Sequence, residues 1–374
     1  SRKKMMRMQK AAEAAVTQQL TAEGPRYGFT EAAMVAIDPR NGYIKALVGG
    51  ADFDHSEYNR VTQSRRQPGS SFKPFMYTAA LEKGLSPSTV VVDAPITIDV
   101  PVDKQHPDGK WRPKNFDLKF RGPVTLRYAV ENSLNIPAIK LIQKIGVDPV
   151  IEMARRMGIK SELRGNTSLA LGTSEVKLLE MVSAYGVLAN NGVRVEPVAI
   201  LKVMTRDGRT LEKHYTSTQK VLSQNTAATM VDIMKGVLIR GTGYKGRINR
   251  PAAAKTGTTE EFRDAWFIGF VPQLVTGVWV GNDNNRSMHG VAEVAVGPRM
   301  WKSFMDQALQ GEPVLNFPTP EGLDKVNVKY LNPGDTGKSK DKAKPGAETT
   351  PPAWLKDILD NPPPESKKDA ESAE

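Results

Sequence analysis

The stretch Gln67-Pro68-Gly69-Ser70-Ser71-Phe72-Lys73-Pro74-Phe75 contains the pattern around which the rest of the chain can be interpreted. It predicts a tight turn, then a serine at the start of a helix, with a lysine three residues later. Residues i and i+3 share one helix face, so Lys73 is within reach of the Ser70 hydroxyl. A serine hydroxyl becomes an effective nucleophile when a neighbouring base takes its proton. A lysine can be that base if burial or a nearby cation lowers its pKa.

The Ser-x-x-Lys spacing is weak by itself, because it also occurs at Ser1, Ser174, Ser217 and Ser339. The first of these is terminal, and the last two lie in polar or Lys-rich stretches. Ser174 is better explained as part of a helix start at residues 172–175. Only Ser70 has a Pro-Gly turn before it and an amphipathic apolar run after it, so we place the nucleophile there.

Composition limits the possible classes of function. The chain has 374 residues, of which 39% are hydrophobic, enough for a sizeable core. The net charge of +11 comes from dispersed Lys and Arg with only 7% aromatic residues, so we expect no nucleic-acid partner. An anionic polymer or membrane surface also fits this charge, but an ordinary solvated surface is the favoured interpretation. The absence of cysteine excludes disulfide and thiolate chemistry.

The chain has 4 histidines, and none has a metal-ligand spacing. We therefore expect no metal site and find little support for a Ser-His-Asp triad. No apolar run reaches the length of about 18 residues that a membrane-spanning helix needs. The sequence also shows no signal peptide and begins abruptly, as a fragment of a longer protein does.

Hydrophobic periodicity and turn residues predict an α+β fold, a central antiparallel sheet flanked by helices with a helical subdomain inserted. The predicted helices are 1–23, 70–83, 125–132, 137–145, 148–158, 173–190, 223–239 and 298–309. The predicted strands are 33–37, 43–48, 96–100, 200–205, 210–214, 252–258, 265–270 and 275–281. From about residue 332 the composition predicts disorder, except for a short amphipathic turn at 354–359.

Two further motifs supply groups that a serine nucleophile needs. In Ser133-Leu134-Asn135 a second hydroxyl can relay a proton and an amide can hold a substrate carbonyl. Residues 223–225 match the same spacing, but there a helix N-cap is a sufficient explanation. Lys255-Thr256-Gly257-Thr258-Thr259 occurs once. It is not a phosphate-binding P-loop, which requires a glycine directly before the lysine, where this chain has Ala254.

Taken in order, the three motifs resemble the signature of penicillin-recognising serine acyltransferases, namely penicillin-binding proteins and class A β-lactamases. Other stretches are similar to the transpeptidase domain of class A, bifunctional penicillin-binding proteins, over about residues 30–310. They are Tyr58-Asn59-Arg60-Val61-Thr62-Gln63, Arg66-Gln67-Pro68-Gly69-Ser70, Phe72-Lys73-Pro74-Phe75, Ala170-Leu171-Gly172-Thr173-Ser174-Glu175-Val176 and Asp264-Ala265-Trp266-Phe267-Ile268-Gly269.

The resemblance implies a serine D,D-transpeptidase that cross-links peptidoglycan stem peptides ending in D-Ala-D-Ala and is acylated by β-lactams. We expect a linker helix at 1–30, packed on the domain, a transpeptidase domain at 31–315 and a C-terminal extension at 316–374. An alternative for the first segment is a linker from an upstream, membrane-proximal domain. The family's membrane-anchored glycosyltransferase half is not recognisable in the chain, and the resemblance implies an extracytoplasmic, periplasmic location.

The resemblance also implies roles for individual residues. Ser70 is the nucleophile, Lys73 the general base with Lys255 helping to lower its pKa, and Ser133 the proton carrier to the leaving amine. Asn135 is expected to bind the amide of the donor peptide, and Lys255, Thr256 and Thr258 are expected to bind its terminal carboxylate. Gly257 is expected to leave a strand face open for the peptide, and the backbone N–H groups of Ser70 and Thr258 are expected to form an oxyanion hole. No metal or organic cofactor is implied.

Two alternatives remain open at this point. A β-lactamase needs a glutamate that activates the deacylating water, and residues 162–166 have the letters of its Glu-x-x-x-Asn element but resemble a helix-to-loop connection. A penicillin sensor, which is acylated and signals, needs a membrane-crossing output that the sequence does not show.

Overall fold

A five-stranded antiparallel sheet lies at the centre of the computed structural model, which describes residues 2–323. The helices of this part of the chain are α1 (Arg2–Tyr27), α2 (Lys73–Glu82), α3 (Leu126–Glu131), α4 (Asn135–Ile145), α5 (Val147–Met157), α6 (Leu178–Ala189), α7 (Gln224–Ile239) and α8 (Val296–Ala308). The strands are β1 (Glu31–Ile37), β2 (Ile44–Val48), β3 (Val90–Asp93), β4 (Ile98–Asp99), β5 (Lys110–Trp111), β6 (Gly122–Thr125), β7 (Val193–Val195), β8 (Lys202–Met204), β9 (Thr210–Lys213), β10 (Thr218–Lys220), β11 (Ala253–Thr258), β12 (Asp264–Val271) and β13 (Leu274–Gly281).

The sheet has the strand order β11-β12-β13-β1-β2, and both of its faces are buried. Successive side chains of a strand point to opposite faces. In β1, Ala33, Val35 and Ile37 therefore join one hydrophobic core, while the alternate residues Ala32 and Met34 join a second one. Burial on both faces explains why these strands are nearly continuous apolar runs rather than alternating ones.

Helices cover the two faces of the sheet. On one side α1 packs against β2 and α8, and α8 packs against β12 and β13. On the other side α6 crosses β1, β12 and β13, and the helices α2 to α5 pack together beyond it. The predicted α+β architecture is confirmed, and α1 packs on the rest of the molecule as expected. The domain boundaries at residues 30 and 315 stay predictions.

The prediction of a helix from Thr173 to Asn190 is wrong at its start, since α6 begins at Leu178. The reason is tertiary: Val176 pairs with Arg66 through two backbone hydrogen bonds of 2.9 Å, which require an extended chain at this point. Ser174 is therefore not part of a helix start. It is buried, and its hydroxyl accepts a hydrogen bond from the backbone N–H of Arg164.

Short pairings were also mispredicted in the Pro- and Asp-rich region 85–123. The expected strand at 96–100 is reduced to the two residues of β4, and β3 pairs with β6 although neither was predicted.

Helix α4 begins at Asn135, two residues before the predicted start at Pro137. The predicted strands 200–205 and 210–214 are present as the shorter strands β8 and β9, which pair as an antiparallel hairpin.

Residues 324–374 lie outside the described part of the chain, and so do the predicted disorder from residue 332 and the turn at 354–359. Within residues 2–323, no helix combines the length and apolar character needed to cross a membrane.

Candidate active site

Ser70 lies in a 3₁₀-helix, Gly69–Phe72, that runs directly into α2. The predicted helix is thus confirmed, but its first turn is tighter than an α-helix. Ser70 is half-buried and lines a cleft with a volume of about 690 Å³. Ser133, Asn135, Thr256, Gly257 and Thr258 line the same cleft. The structure therefore brings the three motifs together.

The turn around Ser70 is held by contacts from three distant segments. The indole N–H of Trp266 donates a hydrogen bond to the Gln67 carbonyl at 2.9 Å. The hydroxyl of Tyr185 donates one to the Ser71 carbonyl at 2.6 Å. The N–H of Gly69 donates to the carbonyl of Gly172 at 3.2 Å. Such contacts hold the Ser70 side chain on a rigid element.

Lys73 is fully buried, and its side-chain nitrogen donates to three oxygens of one short segment. These are the Ser133 carbonyl at 2.9 Å, the Leu134 carbonyl at 3.1 Å and the Asn135 side-chain Oδ1 at 2.8 Å. The segment presents its oxygens inward because Ser133 has a left-handed backbone conformation, with φ of 53°. Among residues 2–323, no hydrogen bond joins the Lys73 amine to the Ser70 hydroxyl, and the role of Lys73 as general base stays a prediction.

Burial, together with the positive charge of Lys255, lowers the pKa of Lys73 well below its ordinary value. Desolvation disfavours the ammonium, and the second cation adds repulsion. Both effects favour a neutral amine, which is the form that a general base needs.

Lys255 is also fully buried, and it contacts the second motif as well. Its side-chain nitrogen donates to the Ser133 hydroxyl at 2.8 Å and to the Thr256 carbonyl at 3.0 Å. Burial lowers the pKa of Lys255 to about 7. A pKa in this range makes both the charged and the neutral form of Lys255 accessible near neutral pH.

Asn135 uses both ends of its side chain within the protein. Its Oδ1 accepts from Lys73, and its Nδ2 donates to the Lys114 carbonyl at 2.9 Å. One amide hydrogen and one oxygen lone pair remain for other partners. The Asn135 side chain is half-buried at the wall of the cleft, where a ligand can reach it.

Gly257 allows β11 to lie directly against the turn that carries Ser70. A Cβ at this position would lie 2.5 Å from the Pro68 carbonyl oxygen and 2.9 Å from the Ser71 backbone nitrogen. The expected role of Gly257, an open strand face for a peptide, stays a prediction, and the structure adds close packing of strand against turn. Gly69 adopts φ of 55°, and a Cβ there would lie 2.6 Å from the Thr258 carbonyl oxygen.

Among the described strands, β11 is at the edge of the sheet and pairs only with β12. Thr256 and Thr258 are half-buried on the cleft wall. The Thr256 hydroxyl lies 2.8 Å from that of Thr242, a third cleft-lining threonine. An edge strand with hydroxyls along it can bind an extended peptide through main-chain hydrogen bonds.

The Glu-x-x-x-Asn element that a β-lactamase would use is not at the cleft. Glu162 is exposed and does not line it. The Asn166 side chain caps a 3₁₀-helix by accepting from the backbone N–H of Ser168. Within residues 2–323, no group of acidic, His or Cys side chains could hold a metal ion.

Comparison with known proteins identifies the family. The model of the penicillin-binding protein transpeptidase domain matches residues 32–295. The chain belongs to this transpeptidase family. The resemblance to class A penicillin-binding proteins is confirmed by relatives of that kind. Penicillin-binding protein 1A of Aquifex aeolicus is 37% identical over 335 residues, and that of Neisseria meningitidis is 39% identical over 312 residues.

These relatives are longer than this transpeptidase-family chain. The matches span 84% and 80% of this chain but only 45% and 38% of the Aquifex and Neisseria proteins. Among solved structures, penicillin-binding protein 1A from Haemophilus influenzae has a TM-score of 0.73 at 33% identity, over 78% of this chain and 49% of that one. PonA1 from Mycobacterium tuberculosis, solved in complex with penicillin V, has a TM-score of 0.73 at 28% identity, over 84% and 87% of the two chains.

Sequence reasoning missed several residues at the site of this transpeptidase-family member. Thr242 lines the cleft, the carbonyl of Gly172 accepts from Gly69 in the turn that carries Ser70, and the buried Asn115 lines the cleft beside the second motif. Gly241-Thr242-Gly243 was a visible signal, since such a stretch permits close approach of the backbone. Asn115 lies in a region that was interpreted only as loop, and its partners are too distant in sequence to be inferred.

Proposed function

We propose that this chain is a serine D,D-transpeptidase that forms an acyl-Ser70 intermediate with peptidoglycan stem peptides. The observation that carries the proposal is the placement of the buried Lys73 amine. It is held by the Ser133–Asn135 segment and belongs to the residue about one helical turn after Ser70, with Lys255 beside it.

Acylation begins with proton transfer from Ser70 to Lys73. An ammonium donates to all three oxygens around it, whereas a neutral amine donates to two and keeps one lone pair. The lowered pKa of Lys73 supports the neutral form. In our proposal the Ser70 oxygen bonds to the carbonyl carbon of the penultimate D-alanine while Lys73 takes the hydroxyl proton.

Collapse of the tetrahedral intermediate requires a proton on the leaving amine of the terminal D-alanine. Ser133 is the proposed carrier. Its hydroxyl oxygen accepts from Lys255, so its own hydrogen is free to point toward the cleft. Lys73 returns a proton to Ser133 and becomes neutral again, the C–N bond breaks, and free D-alanine leaves.

The backbone N–H groups of Ser70 and Thr258 are the proposed oxyanion hole. The close approach of Gly69 to Thr258 supports this assignment, because it places the two segments side by side. Preorganised donors of this kind contribute about 10²–10³ in rate.

We assign Lys255, Thr256 and Thr258 to binding of the donor's terminal carboxylate. We assign Asn135 to binding of the donor amide. A bound carboxylate would raise the pKa of Lys255 back toward its ordinary value, because an opposite charge favours the ammonium. Substrate binding would then provide the cation that the free site holds only part of the time.

An amine from a second stem peptide then attacks the acyl-enzyme to form the cross-link. A β-lactam acylates Ser70 in the same way, but its leaving group stays tethered, so the adduct lasts.

We further propose that the native protein works outside the cytoplasm, anchored to the membrane and joined to a glycosyltransferase domain. The greater length of the relatives supports a further domain.

The test is release of D-alanine from a stem-peptide mimic supplied with an amine acceptor. We expect D-alanine and cross-linked product from the wild type and neither from Ser70→Ala. Product formation that survives Ser70→Ala, or a wild type that is acylated by penicillin but releases no D-alanine from the mimic, would contradict the proposal.

A further inference from the structure

Asn115 is more than nine-tenths buried, and its amide makes five hydrogen bonds. The Nδ2 group donates to both carboxylate oxygens of Asp93, at 2.8 and 2.9 Å, and to the Lys119 carbonyl at 2.8 Å. The Oδ1 atom accepts from the backbone N–H groups of Asn135 (2.9 Å) and Ile136 (3.2 Å). The Asp93 carboxylate can only accept hydrogen bonds. It therefore fixes the orientation of the Asn115 side-chain amide, with Nδ2 toward Asp93 and Oδ1 toward α4.

The two N–H groups that Asn115 binds are the first two of α4. The N-cap residue of this helix, Leu134, has no side chain that can bond to them. The first N–H groups of a helix have no partner inside the helix, and leaving them buried and unpaired is unfavourable. Asn115 therefore caps α4 from a loop 20 residues earlier in the chain.

This cap lies directly behind the acceptors of Lys73. All three oxygens that receive the Lys73 amine belong to residues 133–135, and Asn135 is both an acceptor for Lys73 and the first residue that Asn115 holds. A continuous chain of hydrogen bonds thus runs from Asp93 through Asn115 and Asn135 to Lys73. Each member is buried or half-buried.

We propose that Asn115, oriented by Asp93, is a positioning residue that places the Ser133–Asn135 segment and through it the Lys73 amine. The inference rests on the proposed function. It assigns to the loop 112–121 a role in the acylation step through the hydrogen bonds of Asn115, which lines the same cleft as Ser70. Misplacement of a catalytic group by about 1 Å can lower a rate about 100-fold.

The decisive variant is Asn115→Asp, because it keeps an acceptor for α4 and replaces the donor by a second carboxylate facing Asp93. Two carboxylates in contact cannot both ionise easily, so one of them takes up a proton with a raised pKa. The cations that face Asp93 are Arg121, at 3.9 Å, and Lys140, and they oppose this rise only in part. The variant therefore gains a pH dependence in addition to the one that the two buried lysines give the wild type.

The experiment measures the acylation rate with a fluorescent penicillin as a function of pH, with thermal unfolding as the check on folding. We expect Asn115→Asp to acylate about 10- to 100-fold more slowly than wild type at alkaline pH and to recover as the pH falls and the pair binds a proton. The double variant Asp93→Asn with Asn115→Asp exchanges donor and acceptor, and should regain most of the rate. Asn284→Asp, in an exposed turn, is the matched control and should behave as wild type.

An Asn115→Asp variant with the wild-type rate and pH profile overturns the inference. So does a folded variant whose deficit is the same at every pH and is not relieved by the exchange, since that pattern indicates a merely structural role. If the wild type itself is not acylated, the proposed function fails and the inference fails with it. If the wild type is acylated and the variants are indifferent, the inference alone fails.

Discussion

Substitution of Gly257 tests whether close packing of β11 against the turn that carries Ser70 is needed for acylation. In Gly257→Ala the new Cβ would lie 2.5 Å from the Pro68 carbonyl oxygen, while ordinary contact begins at 3.4 Å. Strand and turn must therefore separate by about 0.9 Å, the difference between these two distances. The nearest atoms are backbone atoms and the Cβ of Ser71, so no flexible side chain can move away instead.

A displacement of this size moves Ser70 relative to Thr258, its proposed partner in the oxyanion hole. We expect the acylation rate to fall about 100-fold, the effect of a misplacement of about 1 Å. We expect a loss of unfolding free energy of about 1–3 kcal/mol, as for other overpacked sites. The assay is the second-order rate of labelling by a fluorescent penicillin, measured beside denaturant unfolding.

Gly165→Ala is the matched control, because a Cβ at Gly165 meets nothing within 4 Å and its backbone is not in the left-handed region. It should leave both acylation and stability unchanged. A Gly257→Ala variant that is labelled as fast as the wild type would refute the packing argument, since it would show that strand and turn can separate without moving the site.

Three further predictions address the buried polar groups. Lys73→Arg should abolish penicillin acylation almost as completely as Ser70→Ala, because arginine keeps the charge but does not deprotonate. Lys255→Arg should remain measurably active in the same assay. An equal loss of acylation in the two variants, with both folded, would contradict the separate roles of the two lysines. Because burial lowers the pKa of Lys255 to about 7, the unfolded chain holds a proton that the folded chain lacks between pH of about 7 and the ordinary value of 10.5. The unfolding free energy should therefore rise with pH in this window, and Lys255→Met should flatten that slope in urea titrations. Tyr185→Phe removes the donor to the buried Ser71 carbonyl, so urea unfolding should show a loss of about 1–3 kcal/mol, and an unchanged midpoint would argue against that anchor.

Sequence reasoning succeeded where the signal is local. The apolar runs of β1, β12 and β13 predicted the central sheet, since strand period and turn residues are read over a few positions. The three motifs predicted which side chains meet in the cleft. Their spacing within each motif is set by one helix, one turn or one strand.

It failed where long-range contacts decide the backbone. The bridge between Arg66 and Val176 delays the start of α6, and no local pattern around residue 176 indicates it. Asn115 caps a helix from 20 residues away, and Gly257 is required by a turn that precedes it by nearly 190 positions. The lowered pKa of Lys255 also could not be predicted, because it depends on burial that the sequence does not display.

The central claim is that Ser70 is the acylated nucleophile, and the most direct measurement is an intact-mass spectrum after incubation with penicillin, followed by peptide mapping. We predict a single lasting adduct with the mass of the intact drug on the peptide that contains Ser70, and no adduct on Ser70→Ala. An unmodified wild type, or an adduct that persists on Ser70→Ala, would contradict the account.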